Sequence, residues 1–210
     1  QKVHHNELQY ITEISLKSPA TMIPQAKNEL KRMADMAQEN LDRSIKGFLN
    51  QSDEYLNKIY HREEDINNVS HAITDYLVKS NQLSLPLADQ KILGSMFYVV
   101  NDIERIGDHA ENFADYTKTE LKHNTGLTGD AKEEIKKMYE AVSKLLKLSL
   151  ESFMAQDGVN TQEDKLAEIA ALEASIDKME RRYQKHHIKR LAKGECEPRA
   201  GLLFSDMLSE

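Results

Sequence analysis

The same helical seam is written twice in this chain. Leu30, Met33, Ala37, Leu41, Ile45 and Phe48 advance in steps of three and four, and Ile135, Met138, Val142, Leu146, Leu150 and Phe153 repeat those steps at a constant offset of 105. Such steps hold apolar side chains on one face of a helix, the pattern of a helix packed in a bundle. The neighbouring residues agree in character too, since Ala26-Lys27-Asn28-Glu29-Leu30-Lys31-Arg32-Met33 is answered by Ala131-Lys132-Glu133-Glu134-Ile135-Lys136-Lys137-Met138. A second seam behaves alike, with Ile59, Ile66, Val69 and Ile73 matching Ile169, Ile176, Met179 and Tyr183 at an offset of 110. A chain with this self-similarity builds one unit twice. Long helices joined by short loops lie antiparallel, so each repeat should be an up-down three-helix unit.

The breakers sit where this reading needs them. With only 8 Gly, 4 Pro and no Trp in 210 residues, the chain should be all-α. Residues 1–17 carry no strong period and read as an extended lead-in that docks on the bundle. Ser18-Pro19 supplies an N-cap and a proline at the first helical position, and the first helix runs to about Asn50. Ser52-Asp53 restarts the chain into a second helix ending near Ser80-Asn81-Gln82. A third starts around Ser84 to Pro86 and reaches about His123. The loop from Asn124 precedes Asp130, which with Glu133 three residues on marks the fourth helix start. Gln156-Asp157-Gly158 separates the fourth and fifth helices, and the segment from Lys193 to Pro198 separates the fifth from a sixth. The domain reading is a lead-in over 1–17, a first repeat over 18–125 and a second over 126–210, incomplete in its last helix.

Charge and cysteine content narrow the partners. The net charge of −7, from 35 acidic and 28 basic residues, disfavours nucleic acid as a partner. The densest basic run, Arg181, Arg182, Lys185, His186, His187, Lys189 and Arg190, is diluted by Glu173, Asp177 and Glu180 and reads as a solvated helix face. The single cysteine, Cys196, excludes an internal disulfide and fits a reducing compartment. No apolar run approaches the roughly 18 residues of a membrane span, and the first ten residues have no signal-peptide core. The chain as given should be soluble and cytoplasmic.

The stretch from Val100 to Phe113, VNDIERIGDHAENF, carries the chemistry. Its seam, Leu93, Met96, Val100, Ile103, Gly107, Ala110 and Ala114, is followed one residue on by Glu104 and Asp108. These carboxylates share one helical face, where like charges cost about 0.2–0.5 kcal/mol unless a cation, Arg105 or a bound metal, lies between them. Gly107 costs about 1 kcal/mol against alanine inside a helix, which points to close approach of a neighbouring backbone. Glu63 and Asn67 stand in the same relation on the second helix, and Glu173 and Asp177 stand so on the fifth. Two antiparallel helices with such pairs along a shared edge converge oxygen ligands, which suit Fe, Mn, Mg or Zn. A single pair of acids four apart is usually only solvated.

The run Asp102-Ile103-Glu104-Arg105-Ile106-Gly107-Asp108-His109-Ala110 resembles the signature of the PhoU family, phosphate-regulon proteins built from two similar three-helix bundles. The acid–xxx–Asp pairs resemble that family's metal motif. The resemblance implies a first metal site of Glu104 and Asp108 with Glu63 and Asn67, where Asn67 departs from the pattern and offers a weaker amide oxygen. It implies that Glu173 and Asp177 belong to a second site whose partner pair would lie beyond Glu210. A divalent or ferric ion, weakly or partly occupying the site, is the expected cofactor. Ser18-Pro19 and the run Ala26 to Met33 are similar to the PhoU-type region that follows the membrane part of bacterial Na/Pi cotransporter-family proteins. That implies a non-enzymatic regulatory domain on the cytoplasmic side of the membrane, whose partner is the transporter portion of the same polypeptide or complex. The alternatives are a free-standing PhoU-type regulator of phosphate uptake and a metal-free helical signalling adaptor.

Catalytic motifs find little support. There is no His-Glu-x-x-His, phosphate-cradling Gly loop or Gly-x-Ser-x-Gly. A ferritin-like di-iron centre needs two Glu-x-x-His motifs, and only Glu120-Leu121-Lys122-His123 is present. Cys196 has no convincing base or acid beside it, and His109 reads as an outer-shell or surface histidine. Aligning Asp102 with Glu210 places the counterpart of the Glu104 motif beyond the given residues, so the natural protein is expected to continue. The given form is expected to expose an apolar stripe through Met138, Val142, Leu146, Ile176 and Met179, and to dimerise or swap helices through its second repeat.

Overall fold

Six helices follow in the expected order among the described residues, and local chemistry explains several of their ends. The computed structural model describes residues 8–11, 19–123, 126–155 and 159–209. The helices are α1 (Pro19–Leu49), α2 (Leu56–Asn81), α3 (Leu87–His123), α4 (Gly129–Met154), α5 (Val159–Ala192) and α6 (Pro198–Ser209), with no strand among the described residues. Most of the lead-in, Ser18 with its capping role, Asn124, the Gln156-Asp157-Gly158 turn and Glu210 lie outside those residues.

Two helix ends close in the same way. After α1, Gln51 takes φ 50° and the Ser52 N–H donates to the Gly47 carbonyl at 2.9 Å; after α5, Gly194 takes φ 68° and the Glu195 N–H donates to the Arg190 carbonyl at 2.9 Å. This six-to-one closure needs a left-handed residue, free of steric cost at Gly194 and costing about 1–2 kcal/mol at Gln51. The α4 start differs from the expected one. Thr128 is the cap, its hydroxyl accepting from the Ala131 N–H at 3.3 Å, and Asp130 lies inside the first turn, where its charge favours the positive helix end.

Two compact units form, and they do not follow the boundary between the repeats. The first comprises Gln1–Arg43 with Leu56–Glu111, and the second Ser44–Tyr55 with Asn112–Glu210. In the first, the α1 seam (Leu30, Met33, Ala37, Leu41), the α2 seam (Ile59, Ile66, Ile73, Leu77) and the α3 seam (Leu93, Met96, Val100, Ile103) are all buried. Gln9 and Tyr10 dock there, their N–H groups donating to the buried Glu29 at 2.9 and 2.7 Å. In the second unit, Ile45 and Phe48 from the end of α1 and Phe113 from α3 are buried, with Phe48 and Phe113 packed edge-on at 6.1 Å. Ile135, Met138, Tyr183 and Phe204 complete that core. Met138 is covered rather than exposed as expected, because it lies in the unit to which the ends of α1 and α3 contribute as well as α5 and α6. Val142, Leu146, Ile176 and Met179 stay partly exposed.

Candidate functional site

Among the described residues four glutamates are buried in the helical cores, Glu29, Glu63, Glu120 and Glu134, and a buried carboxylate needs hydrogen bonds or an opposite charge. Glu29 accepts the two lead-in N–H groups and pairs with Arg32. Glu120 accepts the Leu127 N–H at 3.2 Å, which clasps the loop before α4 and gives the lone Glu-x-x-His run a structural role. Glu134 pairs with Arg190 at 2.8 Å and His186 Nδ1 at 2.6 Å. Glu63 is the exception. It is 3% exposed, and neither carboxylate oxygen has a hydrogen-bond partner.

The sequence pattern explains how Glu63 comes to be there. On α2 it precedes the seam residue Ile66 by three, so it faces α3 at the level of Gly107. A Cβ at position 107 would meet Glu63 Oε2 at 2.5 Å and Oε1 at 2.9 Å, so the glycine leaves room for a carboxylate and not, as expected, for a neighbouring backbone. Burial pushes the Glu63 pKa up to about 7, and the negative charges of Asp108, Glu111 and Glu104 add to the rise. Asn67, one turn further on, has a buried Oδ1 that also lacks a partner. Glu104 accepts from the Ser70 hydroxyl at 2.9 Å, which eases the crowding of like charge that Arg105 or a metal was expected to relieve. Asp108 is exposed.

The α2–α3 edge therefore brings Glu63, Asn67, Glu104 and Asp108 into one neighbourhood. It adds Glu111 and Ser70, which the sequence reading had not singled out. Glu111 was visible in principle, since 104, 108 and 111 form one helical stripe; Ser70 carried no signal of its own. As they stand, no three His, Cys, Asp or Glu side chains among the described residues converge closely enough to hold a metal ion. The donor chemistry nonetheless fits an oxygen-preferring cation, because both buried oxygens of Glu63 lie beside a cluster of negative charge without a hydrogen-bond donor, and the buried Asn67 Oδ1 one turn along lacks one too. A bound ion would be held by Glu63 and Asn67 from α2 with Glu104 and Asp108 from α3, and it would neutralise that cluster.

The second pair is not brought to such an edge. Glu173 and Asp177 are exposed on α5, and Asp177 lies 3.8 Å from Arg181. The basic run of α5 divides between solvent and the interior: Arg181, Arg182, Lys185 and Lys189 are exposed, whereas Arg190 is buried between Glu134 and the Phe204 ring. A cleft of about 400 Å³ beside Glu134 and Arg190 carries lysines and acids in balance, so it favours neither sign of ligand.

Fold and site together define an all-helical protein of two repeats with an acidic edge between the second and third helices of the first repeat. A family model described as PhoU domain matches residues 30–117 and 135–209, and the chain belongs to that family. It is similar in structure to the crystal structure of PhoU from Pseudomonas aeruginosa, with a TM-score of 0.79 at 17% identity, over 91% of this chain and 89% of that one. At that identity the likeness establishes the fold. Curated protein sequences provide no significant match.

Proposed function

We propose that this chain is a non-enzymatic regulator of phosphate uptake of the PhoU type, tuned by a cation at the α2–α3 edge. Family membership supports the regulatory role, and one observation carries the metal reading: Glu63 is buried without a single hydrogen bond, beside Asn67 and three further carboxylates. A fold alone would not keep a carboxylate in that condition, since glutamine or methionine would fill the space at lower cost. The chain's own residues do the work. Glu63 and Asn67 present oxygens from α2, Gly107 leaves the space, Ser70 orients Glu104, and the exposed Asp108 keeps the edge open to solvent.

Two measurements test this. Metal analysis after chelation and reloading should find a divalent or ferric ion in the parent and none in a Glu104→Ala, Asp108→Ala variant that keeps its helical circular dichroism. Equal binding by the variant would place the site elsewhere. Deleting the protein in its own cells should change phosphate uptake, and unaltered uptake would defeat the regulatory reading.

A second reading is more specific: a domain joined to a sodium-dependent phosphate cotransporter, working on the cytoplasmic side of the membrane. It is favoured by Ser18-Pro19 and the run from Ala26 to Met33, and no described helix is itself long and apolar enough to cross a membrane. The coding sequence upstream of Gln1 tests it. Several apolar spans of about 20 residues there would support the reading, and their absence would leave the free-standing regulator.

A further inference from the structure

The cleft between the start of α4 and the end of α5 holds a histidine with no part in the cation site. His186 Nδ1 lies 2.6 Å from Glu134 Oε1, and Arg190 holds the other oxygen of that buried carboxylate at 2.8 Å. An ionised carboxylate can only accept, so the ring hydrogen sits on Nδ1 and the lone pair of the neutral ring is left on Nε2. The fold thus sets the tautomer. The buried Tyr183 ring packs 6.3 Å from the imidazole and limits its rotation. Yet the His186 side chain is 44% exposed and lines the cleft, so Nε2 is the nitrogen left for an incoming group. His187 beside it is the opposite case, buried against Gly201 and Phe204.

The cations of the cleft suit a nucleophile that ends up carrying negative charge. Lys189 follows His186 by three residues on the same helical face, and Lys193 comes one turn later. Lys137 lines the cleft from α4. Lys137 and Lys193 each pair with an exposed acid, Glu133 at 3.5 Å and Glu195 at 3.7 Å, and such surface pairs give way easily. Lys189 has no ion-pair partner among the described residues. A cleft in charge balance does not gather free anions, but a group bound covalently at Nε2 needs only an accessible lone pair and a cation free to turn towards it. We propose that His186 is a phosphoacceptor, taking a phosphoryl group on Nε2 from a donor of the phosphoramidate class and holding it against Lys189. The Nε2 lone pair attacks phosphorus, the donor's N–P bond breaks, and the donor nitrogen, already protonated, leaves as the neutral amine with the bonding pair. One N–P bond replaces another. The Nδ1 hydrogen stays where it is, and the positive charge the ring acquires lies against Glu134. The chain is the acceptor in this step and not its catalyst, and the site shares no residue with the α2–α3 edge.

Incubating the folded chain with potassium phosphoramidate at neutral pH, and following its mass, tests the proposal. The parent should gain about 80 Da in a form lost in mild acid and kept in mild base, as a phosphohistidine behaves. Peptide fragmentation should place the early label on His186, at least ~10-fold ahead of the exposed His61, His71 and His123. His186→Gln should lose that first label. Lys189→Gln, at an exposed position, should slow labelling by about 10-fold while Lys189→Arg keeps most of the rate, a distinction that loss of structure would not produce. Label spread evenly over the exposed histidines, early label on His187, or a rate indifferent to Lys189→Gln would overturn the proposal.

Discussion

Between pH 4.5 and about 7, Glu63 keeps a proton in the folded chain that it has lost in the unfolded one, because burial and the charges of Asp108, Glu111 and Glu104 raise its pKa. The folded state therefore binds the extra proton in that window, so its stability falls as pH rises through it. In chelator, denaturation midpoints of the parent should decline by a few kcal/mol equivalent between pH 5 and 8, whereas Glu63→Gln should remove most of that decline. A parent as stable at pH 8 as at pH 5 would show that Glu63 finds a donor in solution. Gly107→Ala is the complementary probe. Its Cβ would displace the Glu63 carboxylate, a flexible end that can move, while removing the helix cost of glycine. Calorimetric titration with Mn²⁺ or Zn²⁺ should find at least a ~10-fold loss of affinity, with folding stability within ~1 kcal/mol of the parent. At this scale the sequence located the acids by their spacing, yet it did not distinguish the buried Glu63 from the exposed Asp108. Burial depends on how α2 and α3 are rotated, and the contact between Glu63 and Gly107 joins residues distant in the chain.

The paired helices α1 and α4 put one glutamate each to different use. Glu29 and Glu134 stand at equivalent places, each just before the first large seam residue, and both are buried. On α1 the carboxylate accepts the Gln9 and Tyr10 N–H groups, while on α4 it holds His186 and Arg190 of α5. Arg190 is only 10% exposed along its side chain, so removing its partner leaves an uncompensated interior charge. Glu134→Ala should destabilise the chain by about 3 kcal/mol in urea unfolding, much more than a surface ion pair would cost. Glu29→Ala should instead act locally, with hydrogen exchange at Gln9 and Tyr10 accelerating by at least an order of magnitude while the α2 and α3 amides stay protected. Unchanged exchange at those two residues would mean that Glu29 does not hold them in place. Helix number, order and most ends were legible because apolar period and loop residues agree along the chain. The α4 cap was misplaced by two residues, since Thr128 and Asp130 both have capping side chains and the chain used the earlier one. The different partners of Glu29 and Glu134 were not legible, because the repeat equates their positions but not the chain that surrounds them.

At the scale of the whole molecule, repeat and compact unit are different divisions of the same chain. The repeat boundary falls near residue 125, but the second unit also takes Ser44–Tyr55 and Asn112 onward, so the last turns of α1 and α3 belong to the core built by α4, α5 and α6. Phe48 and Phe113 are buried there, the two rings packed on each other, although both lie in the first repeat by sequence. Glu120 belongs there too, clasping Leu127, and burial raises its pKa against the lowering effects of the Leu127 N–H, Lys132 and Gln51. A fragment of residues 126–210 would thus keep the α4–α5–α6 seam but lose Ile45, Phe48, Phe113 and the Glu120 clasp. Large buried aromatics each contribute about 3–5 kcal/mol, comparable with the whole stability of a small domain. The fragment should therefore retain helical signal yet unfold in urea over a broad, low-midpoint transition, while the full chain unfolds steeply. Adding residues 112–125 at its N-terminus should recover part of the lost midpoint, because Phe113 and Glu120 return before Phe48 does. A fragment 126–210 as cooperative and as stable as the full chain would show that the repeat boundary, and not the compact unit, sets the folding unit.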